Sequence, residues 1–71
     1  MSNFILLSEY EHPWHAEAQA TKPIRVNAER IEIMEHAKEP DGTKISVNGI
    51  ILRVEEDINS ILFRITQGEK Q

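Results

Sequence analysis

The alternation of apolar and polar positions is most regular in Lys44-Ile-Ser-Val-Asn48-Gly49-Ile-Ile-Leu-Arg-Val54. Asn-Gly between two alternating runs predicts a hairpin, because a two-residue type I′ turn needs positive φ at both central positions. So short a loop also sets the register. Val47 is expected opposite Ile50, Ile45 opposite Leu52 and Thr43 opposite Val54, all on one face. Lys44, Ser46 and Arg53 fall on the other face, and so does Ile51, an apolar residue on the side expected to be wet.

The same period places three further strands upstream. Ile31-Glu-Ile-Met-Glu-His-Ala37 reads as a strand with Ile31 and Ile33 on one side. Glu39-Pro40-Asp41-Gly42 then predicts a turn, since proline presets φ and glycine accepts the left-handed position. Pro23-Ile-Arg-Val26 is a strand with Ile24 and Val26 inward, and Asn27-Ala-Glu-Arg30 a short bend after it. Phe4-Ile-Leu-Leu7 is apolar on both faces, which suits a central or covered strand. Downstream the period changes: Ile58, Ile61, Leu62 and Ile65 recur at helical spacing and form one apolar stripe. Glu55, Glu56 and Asp57 precede that stripe, where acids complement the positive helix end, and Asp57 is the expected N-cap. Gly68 is the expected stop, with residues 68–71 a frayed tail.

These elements make one domain over residues 1–67. The fold expected is α+β: a small, curved, antiparallel sheet of four or five strands, SH3-like in curvature, with one C-terminal helix. A chain of 71 residues buries only ~60% of the surface that it exposes when unfolded. It has no cysteine for a disulfide or a thiolate ligand. Self-association is therefore expected to help, with Leu7, Ile51 and Phe63 as residues that a partner or a second copy would cover. No apolar run reaches the ~20 residues of a membrane helix, and the first residues lack the basic start of a signal peptide. The reading is of a soluble, cytoplasmic protein.

Residues 8–22 break the pattern and are expected to form a long irregular loop. It holds the one tryptophan and the one tyrosine of the chain and two of its three histidines, in Tyr10-Glu-His-Pro-Trp-His15. Pro13 and the alanines after it allow one or two helical turns between 13 and 20. Tyr10, His12, Trp14 and His15 are candidate contact residues, because exposed tryptophan and tyrosine are enriched at interface hot spots. The other reading is that Trp14 folds back over the open end of the sheet near Phe63, since so small a core needs every large side chain. Trp14→Ala separates the two readings: an interface tryptophan leaves the fold intact, a core one does not.

Candidate chemistry is sparse. His12 and His15, with Glu9, Glu11 or His36 nearby, fall short of the three or four well-spaced ligands of a zinc site, so no metal and no cofactor is expected. The acids at 55–57 are explained by a helix start, and those at 32 and 35 by a wet strand face. No serine sits in a nucleophile elbow, and each glycine is used by a turn or a cap. The expectation is a protein that is not an enzyme. Twelve acids against eight bases give a net charge of −4, which lowers the expectation of nucleic-acid binding. Arg25, Lys44 and Arg53 on the outer sheet face would carry that alternative, and Ile51 adds an apolar contact to the same face.

Three stretches taken together, Ile24-Arg-Val-Asn27-Ala-Glu-Arg-Ile31-Glu-Ile-Met, Thr43-Lys-Ile-Ser-Val-Asn-Gly49 and Val54-Glu-Glu-Asp-Ile58-Asn-Ser-Ile61, resemble the small FlbD-like proteins of flagellar operons and phage genes. The resemblance spans residues 24–65. It implies a curved antiparallel sheet closed by a C-terminal helix and an accessory or assembly role, with no catalytic residues to carry over. The chain departs from that family where a tight turn would join the first two strands, since residues 8–22 intervene. The function expected is a non-enzymatic protein-interaction or assembly module, with an unidentified protein partner. The alternatives are nucleic-acid binding on the outer sheet face and an oligomeric building block.

Overall fold

A computed structural model describes residues 3–12 and 20–67. Along the chain run β1 (Phe4–Tyr10), β2 (Thr21–Asn27), a 3₁₀ turn (Ala28–Arg30), β3 (Ile31–Ala37), β4 (Gly42–Val47), β5 (Ile50–Val54) and α1 (Ile58–Gln67). The five strands form one antiparallel sheet in the order β2-β1-β5-β4-β3. Trp14, His15 and residues 68–71, including the expected stop at Gly68, lie outside the described residues.

The β4–β5 hairpin has the register that its Asn-Gly turn dictates: Val47 pairs with Ile50, Ile45 with Leu52 and Thr43 with Val54. Asn48 and Gly49 both take positive φ, at 53° and 81°. The fully buried residues of this face, Thr43, Ile45 and Val54, join Ile5, Leu7, Val26 and Ile61 in the interior. Ile24 on β2 and Ile31 and Met34 on β3 pack on the same cluster. Five flat strands would hold β2 and β3 ~19 Å apart at the usual spacing, so one shared cluster requires the sheet to curve. Leu7, expected to need a partner's cover, is in that core at 1% exposure.

Three expectations need correction. The irregular stretch is shorter than 8–22, because β1 and β2 pair without interruption from Phe4↔Asn27 to Tyr10↔Thr21. Backbone pairing needs no apolar side chains, so polar Ser8, Glu9, Thr21 and Lys22 extend a ladder that hydropathy alone does not reveal. On β3, Ile31 and Ile33 do not share a face: the register shifts between them, and Ile33 is 56% exposed. A bulge adds one residue to one strand and reverses the alternation beyond it, so Met34 packs inward in place of Ile33. On α1, Ile61 is buried and Ile58 and Ile65 are half-buried, but Leu62 is 46% exposed.

Asp57 caps α1 as expected, its Oδ1 accepting the Ser60 amide at 2.8 Å and its carbonyl the Ile61 amide at 3.0 Å. The turn between β3 and β4 is clasped from several sides. A Cβ on Gly42, whose φ is +154°, would collide with the Val54 carbonyl. The Thr43 hydroxyl donates to the Glu56 carbonyl at 2.7 Å.

Candidate functional site

Three of the seven large apolar side chains left exposed among the described residues, Phe4, Leu6 and Phe63, lie around one groove beside β1. Alternation sends Ile5 and Leu7 inward and leaves Phe4 and Leu6 on the other face, 42% and 57% exposed. Leu6 pairs with Arg25 on β2, and the Arg25 guanidinium lies 6.0 Å from the centroid of the Phe4 ring, at the outer limit of a cation–π contact. Across from them, α1 presents Phe63, at 65% exposure the most exposed large apolar residue among those described, followed by Arg64 and Gln67. Together these residues line one groove.

The groove exists because α1 stands where β5 leaves β1. β5 pairs with β1 only at Glu9↔Val54, and side chains of the helix region replace the missing strand. The Ser8 amide donates to both Glu56 carboxylate oxygens, at 3.0 and 3.1 Å. Arg64 donates through Nη1 to the Leu6 carbonyl at 2.7 Å and to Glu56 at 3.0 Å. Phe4, Ile5 and Leu6 of β1 line the groove next to this clasp. The aromatic and leucine side chains supply contact area, and the guanidinium groups of Arg25 and Arg64 place positive charge along it. A guanidinium beside apolar side chains is able to pair with a carboxylate.

The residues singled out from sequence are dispersed. Tyr10 closes β1, and its hydroxyl donates to the Asp41 carbonyl at 2.6 Å. Burial first, then the negative charges of Glu55 and Asp41, push its phenol above the ordinary range. His12 is exposed just beyond β1. Lys44 and Arg53 are neighbours on the outer face, as alternation requires. Yet Lys44 lies 3.4 Å from Glu35, and Arg53 turns to the β3–β4 turn, donating to the Pro40 carbonyl at 2.7 Å and the Lys38 carbonyl at 3.4 Å. Arg25 is on β2, at the far side of the strand order, so the three cations do not assemble into one patch. Ile51 is 58% exposed, in the same cross-strand row as Ser46 and the bulge-reversed Ile33. His36 sits 3.6 Å from Asp41, and among the described residues no three acids or histidines gather as metal ligands. No helix among them is long and apolar enough to cross a membrane.

Sequence reasoning missed Phe4, Leu6 and Arg64 as site residues, although Phe4-Ile-Leu-Leu7 carried a signal. A strand apolar on both faces must be covered twice, and this one is covered once. Comparison with models of protein families, with characterised proteins and with solved structures finds no match to the chain.

Proposed function

We propose that this domain is a non-enzymatic protein-interaction module that binds its partner in the groove between β1 and α1. One observation carries the reading: Phe4, Leu6 and Phe63 leave 42%, 57% and 65% of their surface exposed around a single groove, with two arginines beside them. Contiguous exposed apolar surface rimmed by polar groups marks interaction sites, and aromatic residues with arginine are the usual energetic anchors. The resemblance of residues 24–65 to FlbD-like proteins agrees with an accessory or assembly role. Relative to the expectation from sequence, the proposed contact moves from residues 10–15 and the outer face to the β1–α1 groove.

Selection of a displayed random-peptide library on the immobilised protein tests this. The expected result is a family of enriched peptides whose binding is lost in Phe63→Ala and in Leu6→Ser. Both side chains are mostly exposed, so both variants should keep the fold, which circular dichroism checks. Failure to enrich any peptide, or equal binding to both folded variants, refutes the proposal.

A second reading, self-association, draws on the outer face, where Ile33 and Ile51 share a row beside the Glu35–Lys44 pair. Light scattering across concentration decides it. A strict monomer, or an oligomer unaffected by Ile51→Asp, removes it.

A further inference from the structure

The groove contains a feature that a plain hydrophobic patch lacks, a short length of strand edge. On one side β1 is paired with β2 over all seven of its residues. On the other side, among the described residues, it has a ladder partner only at Glu9. The groups that point this way belong to even-numbered residues. The Ser8 carbonyl accepts the Glu55 amide at 2.8 Å, the Ser8 amide goes to Glu56, and the Leu6 carbonyl goes to Arg64. By the same alternation the next groups along are the Leu6 amide and the carbonyl and amide of Phe4, and none of them has a strand or side-chain partner among the described residues. A donor and an acceptor two residues apart are what an added strand needs.

Resting on the interaction reading above, we propose that residues 4–6 accept a short extended segment of a partner protein as an added strand, and that this segment is apolar and acidic. The main-chain groups of β1 supply the ladder bonds. Phe63 covers one face of the added segment, and Phe4 and Leu6 lie beside its other face. The acidic preference comes from Arg25, which reaches the groove, contacts the Phe4 ring and makes no ion pair among the described residues. Arg64 adds positive charge, although part of its capacity is taken by Glu56. Two ladder bonds span about 7 Å, so three or four residues of the partner are enough.

The probe is a blocked pentapeptide of alternating valine and glutamate, followed by amide NMR of the whole chain. Three results are expected. Shifts change at Phe4, Leu6 and Phe63. Exchange of the Leu6 amide slows at saturation. Binding weakens about tenfold or more when the central peptide amides are N-methylated, when lysine replaces glutamate, or in Arg25→Gln, as loss of one ladder or charge-assisted bond implies. Groove shifts indifferent to N-methylation would mean that side chains alone hold the ligand. That overturns strand addition and leaves the interaction reading standing. Indifference to lysine and to Arg25→Gln overturns the acidic preference. Protection of Leu6 that rises with protein concentration in the absence of peptide makes the occupant a second copy, and also overturns the proposal. If neither this peptide nor the display-selected ones perturb residues 4–6, strand addition there is refuted. If the selection itself yields nothing, the interaction reading falls with it.

Discussion

Replacing Glu56 with alanine takes the shared acceptor away from the clasp between α1 and β1. The Ser8 amide, bonded at 3.0 and 3.1 Å to the two carboxylate oxygens, loses its partner. Arg64, at 3.0 Å, loses its counter-ion but keeps the Leu6 carbonyl. The Glu56 side chain is only 10% exposed, whereas that of Arg64 is 44% exposed. An amide left unmet in a partly buried place loses about 1–3 kcal/mol. The half-buried position of Ser8 favours the lower half of that range, since water can reach it. The exposed arginine partner adds about 0.5 kcal/mol. The sum is about 2 kcal/mol, which in a domain this small lowers Tm by about 10 °C. Glu56→Gln keeps an oxygen for the Ser8 amide and should lose less than half as much. Urea and thermal denaturation followed by circular dichroism measure both variants, and hydrogen exchange at Ser8 shows whether its amide is released. Glu56→Ala within about 0.3 kcal/mol of the parent, well below a typical hydrogen-bond contribution, would refute the clasp. Equal damage from glutamine and alanine would show that the Ser8 amide is not the group that matters.

Three further expectations follow from the same contacts. Gly42→Ala should destabilise by about 3 kcal/mol or more, because a Cβ at φ +154° meets the Val54 carbonyl; a variant that melts like the parent refutes that close approach. Tyr10 is the one tyrosine, so near-ultraviolet absorbance reports its ionisation alone, and the midpoint should lie above 10.0 in the folded protein. A raised phenol pKa contributes stability below its ordinary value that is lost as pH rises through the folded one. Tyr10→Phe should therefore flatten the alkaline arm of the stability curve, and a folded-state midpoint at or below 10.0 contradicts the assignment. Asp57 has the opposite sign: hydrogen bonds from the Ser60 hydroxyl and amide hold its carboxyl below the usual value. Its stabilisation is present above that value and disappears as pH falls through the lower folded one. Asp57→Ala should lower Tm at neutral pH and remove this acid-side loss, and an unchanged pH profile would refute the cap.

How much was legible follows the distance along the chain over which each decision is made. Asn48-Gly49 specifies a turn by its own φ requirements, and a two-residue loop transmits the register to every pair up to Thr43↔Val54. Asp57 followed by Ile58, Ile61 and Ile65 specifies a capped amphipathic helix within three turns. In both cases the deciding atoms lie a few residues apart, so local sequence is enough to specify the β4–β5 hairpin, the helix start and most of the inward-facing residues.

The rest depends on contacts between elements distant in the chain. The β3 bulge, which turned Ile33 outward, is a pairing of β3 against β4 and leaves the local alternation of β3 unmarked. Alternation puts Arg53 on the outer face, but two carbonyls of the neighbouring turn recruit it. The proposed site depends on contacts of longer range, with Glu56 on Ser8 and Arg64 on Leu6 separated by 48 and 58 positions along the chain. Those bonds form where β5 ends at Val54 and the chain turns into α1, so they join parts of the chain that only the fold brings together. Hydrophobic period and turn chemistry therefore determine the strands, the hairpin and the helix. Which strand edge stays open, and which side chains surround it, depends on how those elements meet, because an edge is defined by the neighbour it lacks.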